Sequence, residues 1–431
     1  MNKLIVLIIF AYVFTVNISA EPIGYILCSI TVSTGYEIVA LNVETGEKQV
    51  LHSQYLSSMS KIINAGPMPY YGIGAPPFLG DPCVIQNDGE LSISLIYFDG
   101  TVHDVIPTDY LTNNFYPCFS FDGEKIAYVE QDVSPSNDDI LAIINFDGSG
   151  KEEIYHTPLW SVDIEQPTFS PDRTTLAFVM EDDHHGSHAV YTLPVSGGVP
   201  QELTDLPLNA GHPAFSPDGT KLACISTAGG GIFHLFIANA DGSNPQQITS
   251  GSDFALYPSF SPDSKYIACA SNDGIKIIDL SNNQIVKEIP LDYLSYHGLV
   301  WCLGARKSEG TIAKAKIKNK SVSIKIENMK LDTVPNYGLV QIDKTTFELS
   351  NTNLWTNKKD KKYIYKDKTE KITAKATVKN EKVKFSAKKL SLKEGIDYAL
   401  NTNVPVAVNF GDQTIVETIQ FDAKGKFKGV K

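Results

Sequence analysis

Four segments of this chain, Tyr116 to Gly123, Gln166 to Asp172, His212 to Gly219 and Tyr257 to Asp263, are one motif written four times. Each runs from a polar or aromatic residue through proline to a Phe-Ser-(Pro or Phe)-Asp turn, and the leading prolines 117, 167, 213 and 258 fall 50, 46 and 45 residues apart. A fixed period in the forties marks a repeat architecture, in which one unit cannot cover its own apolar face and has to stack on copies of itself.

Within one period the local structure is legible. Ser216-Pro217-Asp218-Gly219 suits a tight turn: proline presets φ, aspartate bonds nearby backbone, and glycine takes the position where a side chain would hinder. A strand ends there and Lys221 to Ser226 begins the next. Phe233 to Ala238 makes a third after Gly229-Gly230-Gly231, and Asp241-Gly242 turns the chain into a fourth at Gln246 to Thr249. Four short antiparallel strands per period make one blade of a β-propeller.

The run P-x-F-S-P-D-G-x-K-[IL]-A, carried here by Pro213 to Ala223, with the N-x-D-G-S-x-x-x-x-[IL]-T segment from Asn239 to Thr249, resembles the TolB-type, WD40-like (PD40) propeller repeat. The likeness extends over roughly residues 116 to 290. It implies an all-β propeller and, by analogy with TolB, protein contacts in a bacterial periplasm. The same repeat serves binding proteins, propeller caps of peptidases and some lyases, so the fold alone does not choose a function.

Two further blades are expected on the N-terminal side. Gly24 to Ser29, Tyr36 to Leu41 and Thr45 to Val50 read as three strands of a blade lacking its first, which Gly298 to Leu303 would supply from the far end to close the ring and remove its open edges. Pro82 to Val84, Leu91 to Ile96 and Thr101 to Ile106 read as a shortened blade. That makes six, with five or seven as the alternatives. Cys28, Cys224 and Cys269 share one place in their second strands, where Tyr128 and Phe178 stand in other blades, so the cysteines are expected to be buried and free rather than bridged. No Cys/His spacing suits zinc.

At the N-terminus, Asn2-Lys3, the apolar run Leu4 to Val16 and a small residue at Ala20 read as a secretory signal peptide spanning residues 1–20. The run, roughly 13 residues against the ~20 a spanning helix needs, leaves no transmembrane segment after cleavage. The chain is therefore expected in the periplasm or at the cell surface of a bacterium, as a monomer.

Charge divides the remainder. Residues 305 to 431 hold 27 of the 37 Lys+Arg and 14 of the 49 Asp+Glu, a net of +13, which leaves −25 on residues 1 to 304. Past 305, Thr311 to Lys318, Ser321 to Ile326, Ile372 to Val378 and Lys382 to Ala387 alternate apolar residues with lysine, one face for a core and one for solvent. The expected organisation is a propeller over 21–304 followed by a lysine-rich, immunoglobulin-like β-sandwich over 305–431. The lysines either keep the strands soluble, or offer a cationic face to an anionic envelope polymer, or dock on the acidic propeller. Nucleic acid is not expected as a partner, because no aromatic-interleaved motif accompanies the lysines.

No G-x-S-x-G elbow, P-loop or dinucleotide fingerprint is present, so no catalytic residue, metal or cofactor is assigned. Glu181 to His188 is rich in metal-type side chains, but its place between two strands suits a solvated loop. The residues directly before each motif proline, Tyr116, Gln166, His212 and Tyr257, together with His297, stand where inner strands open on the central channel, and form the candidate ligand site. The expected role is a non-enzymatic binding or scaffold protein recognising a protein or envelope component. The alternative is a metal-dependent oligosaccharide lyase using the channel histidines.

Overall fold

The computed structural model describes residues 24–302 except 33–34, 56–72, 75–82, 88–91, 98–100, 107–111, 133–137, 158–161, 183–186, 204, 208, 229–230 and 292–295, and beyond 302 the strands given below. The signal-peptide expectation lies outside these residues. Among them no helix is long and apolar enough to cross a membrane.

Six four-stranded antiparallel sheets form the propeller. Blade 1 takes its inner strand from the far end of the ring: Tyr296–Cys302 pairs with Tyr25–Val32, followed outward by Gly35–Asn42 and Lys48–Tyr55. Blade 2 is the shortened one, Ile73–Gly74, Cys83–Asn87, Ser92–Ile96 and Val102–Ile106. Blades 3 and 4 are Thr112–Phe119, Lys125–Asp132, Asp139–Asn145, Glu152–His156, and Val162–Phe169, Thr175–Asp182, Ser187–Pro194, Gln201–Glu202. Blades 5 and 6 are Gly211–Phe215, Lys221–Ser226, His234–Asn239, Gln246–Gln247, and Leu256–Phe260, Tyr266–Ser271, Gly274–Asp279, Gln284–Pro290. Each inner strand contacts the inner strand of the next blade, the sixth reaching the first through Tyr296–Cys302, so the ring is closed. Gly24 sits tight against that seam: a Cβ there would collide with the Cys302 carbonyl.

The repeated motif builds the first turn of blades 3 to 6 the same way. In blade 5 the buried Ser216 hydroxyl donates to Asp218 Oδ1 at 2.7 Å while accepting the Lys221 N–H at 2.9 Å, and the Gly219 N–H closes on the Ser216 carbonyl at 2.8 Å. Ser120–Asp122, Ser170–Asp172 and Ser261–Asp263 repeat the hydroxyl–carboxylate bond at 2.7, 2.7 and 2.6 Å. The fourth turn residue is left-handed throughout: Gly123 and Gly219 at φ 70° and 66°, but Arg173 and Ser264 at 62° and 60°. Both non-glycine residues tie neighbouring blades together, since Arg173 pairs with Asp122 and the Ser264 hydroxyl accepts the Asp218 N–H at 3.0 Å.

Packing between blades is apolar. Phe119, Phe169, Phe215, Phe260 and Trp301 each fill the gap toward the preceding blade, joined there by Tyr128, Phe178, Cys224, Cys269 and Cys28. The shared cysteine position is thus a buried packing slot, and all six cysteines are free.

Beyond the ring lie two sheets. One has five strands in the order Arg306–Lys307, Gln413–Gln420, Asn403–Phe410, Gly338–Ile342, Thr345–Glu348. The other has seven, ordered Trp355–Asn357, Lys362–Lys366, Thr373–Lys379, Lys382–Lys388, Ser321–Glu327, Thr311–Lys318, Lys426–Lys428.

Candidate functional site

The inner strands of blades 3 to 6 are each interrupted at the same place. Between Phe115 and Cys118, Glu165 and Thr168, Gly211 and Ala214, and Leu256 and Ser259 the register slips, leaving two residues opposite one. The first residue of each bulge is left-handed: Tyr116, Gln166, His212 and Tyr257 at φ 51°, 53°, 50° and 51°. The second is the motif proline, which has no N–H to lose from the ladder. A left-handed tyrosine, glutamine or histidine costs on the order of 1 kcal/mol or more and persists only where surroundings hold it. A bulge re-aims a side chain, and here it brings four consecutive blades into contact through these residues.

The contacts run from blade to blade. The Tyr116 hydroxyl donates to Glu165 Oε1 at 3.0 Å. Gln166 Nε2 donates to Glu165 Oε2 at 3.3 Å, and its Oε1 accepts the His212 N–H at 2.7 Å. That second bond fixes which end of the amide is oxygen, so Gln166 Nε2, 3.4 Å from His212 Nε2, donates to it and the imidazole proton sits on Nδ1. The His212 ring meets Tyr257 edge-on, centroids 4.5 Å apart at 78°.

Electrostatics keep that ring uncharged. Burial, helped by His188, pushes His212 down to about 3, so it is neutral at physiological pH. Burial raises the Glu165 carboxyl above its usual range; the Tyr116 hydroxyl opposes the rise, Glu181 and Asp163 add to it, and His188 opposes it. His188 Nε2 lies 3.1 Å from Glu181 Oε2. Next to this arc, the buried Asp139 carboxyl accepts the Ile164 N–H across the blade 3–4 boundary at 2.8 Å, and burial lifts it to about 7. The arrangement is a preassembled arc of hydrogen-bonding groups carrying one carboxylate. A histidine held neutral down to pH 3 is a poor proton shuttle near pH 7.

Tyr116, Gln166, His212 and Tyr257 are therefore brought together, and the backbone register of blade 1 sets His297 at the start of a bulge of its own. The slip of blade 1 falls between Tyr296 and Leu299, so His297 and Gly298 together lie opposite Ser29, with Gly298 at φ 131°. His297 is the first residue of that bulge and Tyr296 is level with Phe115 and Glu165; the His297 side chain is outside the described residues. The blade 1 slip faces Ser29, one place beyond the position that Cys28 shares with Cys224 and Cys269, so its bulge starts four residues before Trp301, against three before Phe215 and Phe260. Glu165 was missed by sequence reasoning, although a signal existed. It is charged where the other aligned inner strands carry Phe115, Gly211 and Leu256. Of the acidic and histidine-rich segment, residues 183–186 are outside the described residues. Among the described residues, no group of three or more His, Cys, Asp or Glu could hold a metal ion.

Residues 84–287 match the TolB beta propeller domain family. This chain carries a TolB-type β-propeller. Among solved structures, TolB from Acinetobacter baumannii superposes with a TM-score of 0.50 at 16% identity, over 65% of this chain and 66% of that one. At that identity the likeness is one of fold. An oligogalacturonate lyase from Vibrio parahaemolyticus gives a TM-score of 0.40 at 12% identity over 61% of this chain and 79% of that one, too low to argue from. A curated relative, the uncharacterized peptidase YuxL of Bacillus subtilis (strain 168), is 32% identical over 119 residues, 27% of this chain. The match spans 17% of that relative's length. The matched residues take in most of blades 2 to 6 with the inner arc, while blade 1 and the two further sheets lie beyond them.

Proposed function

We propose that this chain is an exported binding or scaffold protein, with a signal peptide at 1–20, a TolB-like propeller over 21–304 that recognises a protein or envelope component, and a β-sandwich over 305–431 made by packing the two sheets on each other. The observation that carries the reading is the blade-spanning arc Tyr116, Glu165, Gln166, His212 and Tyr257, whose members hold one another and whose histidine is kept neutral. Four strained bulges in a row maintain that arc, and a rigid recognition surface uses such preorganisation directly, because little side-chain freedom is left to lose on binding.

The reading is tested by pull-down from envelope extracts with the mature chain, comparing wild type with a Gln166→Ala/Tyr257→Ala variant. The expected result is a partner retained by wild type in 50 mM salt and lost in the variant. Appearance of unsaturated-sugar absorbance on adding oligogalacturonides and Mn²⁺, abolished by His212→Ala, would replace the binding role with the lyase alternative.

A further inference from the structure

The seven-stranded sheet sorts its residues by charge to a degree that solubility does not require. Cross-strand pairing lines up Lys428, Lys314, Lys325, Lys384, Thr377 and Lys362 in one row across six strands. Two residues along, the next row brings Lys426, Lys316 and Lys375 onto the same face, with Ser323 and Ser386 between them. Every lysine in these seven strands falls on that face, and Glu327 is the one acidic residue in them. The opposite face carries Ile324, which is buried, and its row partners Ala315, Phe385 and Ala376. In the five-stranded sheet, by contrast, Arg306 and Lys307 are balanced by Glu348 and Glu417.

Like charges directly opposite one another on neighbouring strands destabilise a sheet, and a face built only to stay soluble interleaves both signs. Lys314 opposite Lys325, and Lys325 opposite Lys384, is the arrangement such a face avoids. An anionic partner removes the repulsion. Strands lie about 4.8 Å apart, so the six-strand row is about 24 Å long. Successive strands rotate by roughly 20–25° about an axis running along the row, which leaves the row straight while the sheet turns beneath it. A linear polymer can follow that path, whereas a flat bilayer meets only part of it. Bases would call for aromatic platforms among the lysines, yet Tyr363, Tyr365 and Phe385 fall in register on the opposite face. Serine and threonine hydroxyls share the lysine face, as sugar hydroxyls require.

We propose that the lysine face of this sheet binds a linear anionic glycan along the Lys428–Lys314–Lys325–Lys384–Lys362 row. The test uses the full mature chain with a heparin dodecasaccharide and a polygalacturonate oligomer as probes. Calorimetry should show binding in 50 mM NaCl that weakens at least tenfold in 300 mM, because paired charges are screened and counterions return. Lys314→Gln/Lys325→Gln/Lys384→Gln should weaken it at least tenfold more than Lys221→Gln/Lys265→Gln/Lys287→Gln in the propeller. Amine-reactive footprinting of the wild type, which needs no variant to fold, should show Lys314, Lys325 and Lys384 protected by the glycan. Tighter binding to single-stranded DNA of equal charge, or to anionic vesicles, would overturn the proposal. So would a row already protected in the free chain and opened by salt, which would mean that it docks on the acidic propeller, or equal loss of affinity in the two triple variants.

Discussion

Asp139 and His212 are both removed from water beside the same arc, and burial moves them in opposite directions. Asp139 rises to about 7, so between the unfolded value of about 3.9 and 7 the folded chain keeps a proton that the unfolded chain has released. Its stabilising contribution is full below about pH 4 and is lost as the pH climbs through 7. His212 falls to about 3, so its contribution is present above about 6.5 and is lost as the pH drops toward 3. Asparagine at 139 can still accept the Ile164 N–H but carries no charge to desolvate. Asp139→Asn should therefore exceed wild type by on the order of 4 kcal/mol at pH 8 and by nothing at pH 4, read from urea unfolding at the two pH values. A gap of equal size at both would show that the carboxyl charge is not what the burial opposes.

At the scale of the element, the motif turn is a unit in which one serine hydroxyl, one carboxylate and one left-handed residue fix how a blade's first two strands leave each other. Ser264 stands where blades 3 and 5 use glycine, and its hydroxyl accepts the Asp218 N–H of the neighbouring blade. Two effects can be separated there. Ser264→Ala keeps the left-handed strain and loses the bond, at a cost of about 1–2 kcal/mol, while Ser264→Gly loses the bond but relieves about 1 kcal/mol of strain and should lie near wild type. Chemical denaturation of the two variants checks the order; alanine at least as stable as glycine would contradict the strain argument. The alternation and turn chemistry that place these strands are legible in a single repeat. The bulge is not, because a register slip is a relation between two strands, and only its proline leaves a mark in the sequence.

For the whole molecule, closure is the decisive event. Tyr296–Cys302 pairs with Tyr25–Val32, more than 260 residues away in the chain, and Trp301 sits fully buried between blades 6 and 1, its backbone N–H donating to Ser259 Oγ at 2.8 Å. Without that strand the blade 1 ladder is an open edge and the Trp301 slot is empty. Deleting 296–302 should remove the single cooperative unfolding transition of the ring and promote association, seen by circular dichroism and size-exclusion chromatography. A truncated chain that still melts in one step as a monomer would mean that the ring does not depend on the seam.

What the sequence by itself determined is whatever repeats within about 45 residues, namely the period, the four strands of a blade and the shared slot of Cys28, Cys224 and Cys269, together with the missing strand of the first blade that the closing strand supplies. These follow from turn residues and period-two alternation, which act over a few neighbouring residues. Only the tertiary structure decided that the blade 1 bulge faces Ser29 and not Cys28, that Glu165 lies between Tyr116 and Gln166, and that Asp139 reaches across to Ile164. The lysine alternation was visible strand by strand, but the row was not. Ser321–Glu327 pairs with Lys382–Lys388 across some sixty intervening residues, and pairing at that distance is fixed by mutual burial of the apolar faces, for which no local stretch of sequence carries a signal.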